Sequence, residues 1–231
     1  LPPGRSWRRL HPWLPAILFL AVALYFSRTC FTSIPHIEDS IAQLLQARLF
    51  AAGQVAAEPF TPKEFFYFGF MADAGRWFSQ YPPGHALLLA LGVLAGAPWL
   101  VNPLLGVAAL LLFYMLLKEL SPPGPPLLRG GNRELAIWGV WAMALSPFML
   151  FMSAEYMNHA TILTISLAGW LALRKSEGGN RWWSGAAGLA FGYCLSTRPL
   201  EGAVLAAVGG VLLLGRIINI TPQRVRSALF Y

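Results

Sequence analysis

The sequence predicts an all-α membrane fold: a bundle of about six transmembrane helices, with amphipathic surface helices in a long first outer loop. Three observations predict it. Hydrophobic residues make up 56% of the 231 residues and charged residues only 12%, against about 25% charged in a typical soluble domain. The apolar residues gather into long runs, and the basic residues fall mostly in the short segments between those runs.

The composition excludes an ordinary soluble domain, because a core of this size cannot hide so much apolar surface, whereas lipid tails solvate it. The net charge of +7 would suggest nucleic acid in a soluble protein. Here no exposed stretch interleaves aromatic residues with Lys and Arg, and the basic residues sit where they would set membrane orientation. The expected partner is therefore the bilayer and not nucleic acid. The two cysteines, Cys30 and Cys194, form no CxxC or Cys/His spacing, which leaves out the zinc motifs. They read as ordinary thiols at apolar sites.

The apolar runs lie at about 13–31, 84–97, 99–117, 135–152, 157–173, 183–197 and 200–217. A spanning helix needs roughly 17–25 residues. The first run follows Arg5, Arg8 and Arg9 and leads to no clean small-residue cleavage site. It reads as an uncleaved helix with its N-terminus in the cytoplasm. The run at 84–97 is short and bounded by Pro82-Pro83 and Pro98. A residue before proline is pushed out of helical geometry, so this run forms its own helix.

The intervening segment, 28–83, reads as a structured extracytoplasmic loop. Glu38 to Gly53 has the spacing of an amphipathic helix, with Ile41, Leu44, Leu45 and Leu49 on one face and Gly53 as its C-cap. The aromatic stretch 60–70 suits a lipid interface. Long structured loops are usually functional. The Pro/Gly-rich stretch from Ser121 to Pro126 reads as a cytoplasmic loop. The chain opens on Leu1 and closes without a retention signal. It is expected to be one transmembrane domain over 1–231, cut from a longer protein.

Charge orients the spans. Lys118, Arg129 and Arg133 fall in one inter-run segment, Arg174, Lys175 and Arg181 in another, and Arg216, Arg224 and Arg226 in the tail. The positive-inside rule places all three in the cytoplasm. That is met when 84–97 lies at the outer surface without crossing. The alternative, in which 84–97 and 99–117 both cross, inverts everything downstream. On the first solution the 28–83 loop and the turns at 153–159 and 198–201 face the outside together, as a site at a membrane surface requires.

Those islands hold the residues with chemistry. Glu38 and Asp39 are adjacent carboxylates at a helix start. Acids there stabilise the helix by about 0.3–1 kcal/mol, and the same position suits a general base or metal ligand. Tyr81-Pro82-Pro83-Gly84-His85 is a rigid turn with proline at the first helical position, and His85 is either a structural donor or a ligand. Glu155, Asn158 and His159 cluster where two apolar runs meet. They serve either interfacial solvation or function, the default reading for ionisable groups at membrane depth. Arg198 and Glu201 flank Pro199, either as an ordinary pair or with Arg198 as a bidentate phosphate ligand.

In their order along the chain these elements resemble the N-terminal part of the polytopic C-type glycosyltransferases. This is the dolichyl- or undecaprenyl-phosphate-sugar-dependent group that includes protein O-mannosyltransferases and lipid A aminoarabinose transferase. The resemblance runs from about Trp13 to Gly215. It rests on Ile37-Glu38-Asp39-Ser40, on the stretch from Gly75 through Tyr81-Pro82-Pro83-Gly84-His85 to Gly92, and on Asn102-Pro103-Leu104-Leu105-Gly106. It continues with Leu145-Ser146-Pro147-Phe148, Glu155-Tyr156-Met157-Asn158-His159 and Thr197-Arg198-Pro199. The Tyr-Pro-Pro element is the most telling. The resemblance implies a catalytic acid in the first outer loop, at Asp39 or Glu38. The family order is usually Asp then Glu, reversed here. Where the family often carries an Asp after the Ser-Pro element, this chain has His159 preceded by Asn158. Members are typically about twice this length.

The expected activity is inverting transfer of a sugar from a polyprenyl-phosphate carrier to an extracytoplasmic acceptor: a lipid, a glycan or a protein. Asp39 or Glu38 would be the base. Arg198, with His85 or His159, would hold the phosphate, and Glu155, Asn158 and Tyr81 complete the candidate site. The expected location is a bacterial-type inner membrane. No cofactor is required by the residues, and a divalent metal is the one left open. The alternatives are a transporter or flippase, which would carry paired half-repeats and charges inside the spans, and a non-catalytic membrane scaffold. The charges here cluster at the ends of runs.

Overall fold

Nine α-helices and one small β-hairpin make up the described part of the chain. The structure, a computed structural model, describes residues 11–62, 65, 69–73, 75–120, 131–178 and 180–217. The N-terminal arginines, part of the aromatic 60–70 stretch, the 121–126 loop and the basic tail lie outside the described residues.

Helix α1 (Trp13–Tyr25) runs on through a π-helical turn, Phe26–Cys30, to give an apolar segment of 18 residues. Helix α4 (Val101–Leu120), entered through a 3₁₀ turn at Pro98–Leu100, gives one of 23 residues. Helices α5 (Gly131–Ala144) and α6 (Pro147–Ala154) meet at a bend of 59°. Among the described residues two helices are thus long and apolar enough to cross a membrane, or three if the bent pair is one span. The sequence expectation was about six. Helices α7 (His159–Lys175), α8 (Arg181–Leu195) and α9 (Pro199–Ile217) occupy the remaining apolar runs.

The bend corrects the reading of 135–152 as one run. Proline lacks the N–H that would continue the helix and forces its predecessor into extended geometry. Ser146 obeys, with ψ at 120°, and its Oγ accepts from the Met149 N–H to cap the new helix.

Helix α1 packs Ala16, Phe19 and Ala23 against Leu110 of α4, Val140 and Ala144 of α5, and Met149 of α6. Helix α7 lies against α4 and α8, and α8 against α9. The Phe191 ring fills the space beside Gly169 and Gly209, where an added Cβ would lie 2.6 Å from it. The two glycines let the ring approach both backbones, so close packing and dispersion hold the α7–α8–α9 contact. Outside these contacts, large apolar side chains stand exposed: Trp13, Ile17 and Tyr25 on α1, Leu189 and Leu195 on α8, and Leu200, Val204, Val208, Val211 and Leu214 on α9.

The segment between α1 and α3 carries helix α2 (Glu38–Ala51), which begins at the predicted acid pair. Gly53 follows it at φ +73°, the left-handed conformation expected of a C-terminal glycine. The buried face differs from the expectation. Of the four predicted residues only Leu44 is fully buried, alongside Ser40, Ala42, Gln43, Gln46 and Ala47. The reason is that α2 does not lie on lipid with this face. It packs on helix α3 (Pro83–Leu94) through Leu44, Ala47, Ala86, Leu89 and Ala90, and Gln46 faces the rest of the loop.

Gln46 ties α2 to that loop. Its amide donates to the Val55 carbonyl at 3.0 Å and accepts from the Ser79 N–H at 2.8 Å. Ser79 belongs to a hairpin of β1 (Met71–Asp73) and β2 (Trp77–Ser79), paired antiparallel around Gly75 at φ +77°. The hairpin departs from the all-α expectation. Strands of three residues are too short to leave an alternation pattern in the sequence.

Helix α3 has 12 residues, about 18 Å at 1.5 Å per residue. That is short of the roughly 30 Å of bilayer hydrocarbon. It packs mainly along α2 and touches α4 little, so α3 and α4 do not form a spanning hairpin.

Candidate functional site

The N-terminal ends of four helices meet around one cavity of about 380 Å³. Helix α2 contributes Asp39 and Gln43, and the turn before α3 contributes Tyr81 and Pro82. The turn between α6 and α7 gives Met157 and Asn158. The turn into α9 gives Thr197 and Arg198, and its first residues Pro199, Leu200 and Glu201 complete the wall. All three polar islands, distant in sequence, therefore share this wall. Helix N-termini carry partial positive charge and unpaired N–H groups, so their convergence favours an anion. The sequence places these residues at one face and near helix starts, and the structure gathers those starts around one space.

Close backbone approach builds the junction. The Gly84 N–H donates to the Ser196 carbonyl at 2.7 Å, and the Tyr193 hydroxyl donates to the Gly84 carbonyl at 2.6 Å. A Cβ on Gly84 would lie 2.4 Å from Thr197 Oγ1 and 2.7 Å from the Ser196 carbonyl. The Pro-Pro-Gly-His turn thus needs glycine for contact with the α8–α9 turn.

Asp39 is partly buried, and its Oδ1 accepts from the Tyr81 hydroxyl. Tyr81 is in turn stacked on Phe70, with centroids 5.7 Å apart. The pair fixes the rotation of the carboxylate. Arg198 holds Glu201 through Nη1 at 2.9 Å, with side-chain exposures of 32% and 47%. An ion pair that open to water contributes under about 1 kcal/mol, so an anion offering stronger bidentate bonds would displace Glu201.

Other candidates are placed elsewhere. Glu38 is exposed and does not line the cavity. His159 lines a separate, mostly apolar cavity of about 250 Å³ with Phe148, Met149 and Ser153. Its ring meets Phe148 edge-on, and its Nδ1 is buried without a partner among the described residues.

His85 does not fit the phosphate-ligand role assigned to it. It is fully buried, with Nε2 2.8 Å from the Tyr156 carbonyl and Nδ1 2.8 Å from Thr161 Oγ1. A carbonyl can only accept, so Nε2 carries the proton and Nδ1 accepts from the threonine. Burial, reinforced by His159 nearby, pushes its pKa down to about 4 despite the Tyr156 bond. The ring is neutral at pH 7 and has no free nitrogen for a ligand.

Glu155 is likewise a strut. Its Oε1 accepts from the His36 backbone N–H at 3.0 Å, and its Oε2 from the Tyr156 N–H at 3.1 Å. Asn102 of α4 donates to the carbonyls of Glu155 at 2.5 Å and Met157 at 2.8 Å. The Tyr156 hydroxyl donates to the Ser33 carbonyl at 2.7 Å. Burial and the Glu155 charge push that hydroxyl up to about 12, so it stays protonated. Together His85, Asn102, Glu155 and Tyr156 hold the α6–α7 turn that presents Asn158 to the cavity.

Among the described residues no three His, Cys, Asp or Glu side chains gather as metal ligands do, and Cys30 and Cys194 are free thiols. Compared with known protein families, curated proteins and solved structures, the chain matches none of them. The cavity offers an oriented carboxylate and a guanidinium with an exposed partner, set among helix N-termini and an apolar surround.

Proposed function

We propose that the protein is an integral membrane glycosyltransferase that moves a sugar from a polyprenyl-phosphate carrier to an extracytoplasmic acceptor. The observation that carries this reading is the presence of Asp39 and Arg198 in one cavity's wall. Asp39 takes the proton of an acceptor hydroxyl. The freed oxygen forms a bond to the anomeric carbon while the carbon–phosphate oxygen bond breaks with its electron pair. The leaving phosphate collects on Arg198 and the α9 N-terminus. Asp39 and Arg198 lie on different helices, which leaves the sugar between them. The exchange inverts the anomeric centre.

Around this site the reading places about six spanning segments, with α2 and α3 as surface helices and the cavity at the outer face of a bacterial-type inner membrane. The exposed apolar side chains of α1, α8 and α9 support burial in lipid, since contiguous apolar patches on soluble monomers rarely exceed a few hundred Å². The positive-inside rule supports the orientation. A lipid-linked donor suits a cavity reached from the bilayer.

The test is transfer from radiolabelled polyprenyl-phosphate sugars by the full-length protein in vesicles. The expected result is label in an acceptor fraction with wild type and none with Asp39→Asn. Full activity in Asp39→Asn, or no transfer from any donor, refutes the reading.

A further inference from the structure

Gln43 is 2% exposed and stands on the cavity wall, and its amide oxygen is buried with no hydrogen-bond partner among the described residues. Native interiors rarely leave such a group unpaired, because the desolvation of the acceptor is then uncompensated. Its neighbour Gln46, one turn away on the same helix, has both ends of its amide satisfied by Val55 and Ser79. The contrast singles out Gln43 as the glutamine of α2 kept for something outside the chain.

Gln43 follows Asp39 by four residues, so the two side chains lie on one face of α2, about 5–6 Å apart at Cβ. Tyr81 occupies Oδ1 of Asp39, and nothing among the described residues donates to its other oxygen. This wall therefore offers two acceptors one helical turn apart. An anion would be repelled by the carboxylate and gain nothing from the amide oxygen. A ligand with hydroxyls on different carbons of one ring satisfies both.

We infer that Gln43 is a specificity-determining residue which accepts a hydrogen bond from a sugar ring hydroxyl, and so selects sugars that carry it against their deoxy forms. The inference rests on the transferase reading for the identity of the ligand as a sugar. The hydroxyl belongs either to the transferred sugar or to a saccharide acceptor, and the chemistry at Gln43 is the same. A site built to bond a substrate hydroxyl rejects the analogue that lacks it, because its own polar group is then stranded.

The experiment compares wild type, Gln43→Met and Gln43→Glu in the full-length protein. One arm varies the donor sugar through its monodeoxy analogues, and the other varies a saccharide acceptor in the same way. Wild type should disfavour one deoxy analogue by at least about tenfold in kcat/KM, and the arm in which this occurs names the sugar that Gln43 touches. Gln43→Met, which has similar length and no acceptor, should lose that preference, and Gln43→Glu, which keeps an acceptor, should retain it. Equal selectivity in wild type and Gln43→Met overturns the inference, as does its loss in Gln43→Glu. If Gln43→Met fails to fold, Gln43→Glu decides alone.

A protein that transfers nothing refutes the transferase reading instead. Gln43 is then read by saturation-transfer NMR with methyl glycosides and their deoxy forms. Binding that depends on the acceptor at position 43 sustains the inference, and binding that is absent or indifferent to it overturns it.

Discussion

On one side of the cavity the α6–α7 turn has its carbonyls at 155, 156 and 157 held by the buried Asn102 and His85. On the other side Asp39 and Arg198 have one partner each and stay partly open. Both sides are rich in the polar residues that draw attention in an apolar sequence. They differ in what satisfies those residues: the chain itself on the braced side, the buried Asn102 Oδ1 apart, and room for a ligand on the open side. A polar residue's type does not separate these roles, but its count of remaining bonds does. Under the proposed function the chemistry falls to Asp39 and Arg198, and the architecture to His85, Asn102 and Glu155.

The largest expected effect falls on the open side. Asp39→Asn should lower the transfer rate by about 10²–10⁴-fold, the usual contribution of a general base, with the thermal midpoint of the detergent-solubilised protein unchanged. A fall in the midpoint with activity retained would move Asp39 to the braced side.

The next effect is a pH dependence from His85. Unfolded, the imidazole titrates near its ordinary 6.5, and folded only near 4. Between these values the unfolded chain binds the extra proton, so stability is full above about pH 6.5 and falls as pH drops toward 4. The loss is on the order of 3 kcal/mol. Chemical denaturation of wild type and His85→Gln at pH 7 and 4.5 checks this, since the difference between the two proteins should shrink in acid.

Gly84→Ala should destabilise the fold by about 1–3 kcal/mol, the cost of overpacking a tight contact. Here that contact is with the α8–α9 turn. It should also lower donor affinity, because that turn carries Arg198. The smallest effect is expected at Glu201. Glu201→Gln removes the competitor for Arg198, a pair contributing under about 1 kcal/mol. It should lower the KM for donor by up to about fivefold while leaving the rate at saturation alone. A raised KM would mean that Glu201 orients Arg198 rather than competing with it.

The difference between the two sides also sets what was legible in the sequence. Hydropathy located the helices, because burial in lipid and helical length both write themselves into runs of residues. The acid pair marked the start of α2, and Gly53 its end. Charge placement brought Asp39, Tyr81, Asn158 and Arg198 to one face. The roles of His85 and Glu155 were not legible, since a hydrogen bond from His85 to the Tyr156 carbonyl leaves no trace in either neighbourhood. Gln43 was passed over for the same reason. Its apolar-looking helical context hid a polar group whose meaning lies in what does not contact it. The break at Ser146-Pro147 was written plainly, but the apolar run across it masked the change of direction.

The braced turn has a consequence for how the molecule assembles. Its carbonyls find their partners on α3 and α4, and the Glu155 carboxylate and Tyr156 hydroxyl reach back to the linker before α2. None of these contacts is local, so the turn gains nothing until four segments of the chain have already come together. Non-local contacts form late because their loop closure must come first. The turn therefore sets after the helices that flank it, and weakening its struts should quicken unfolding more than it slows folding. The cavity becomes competent only at the end, when a newly made chain has its helices in place.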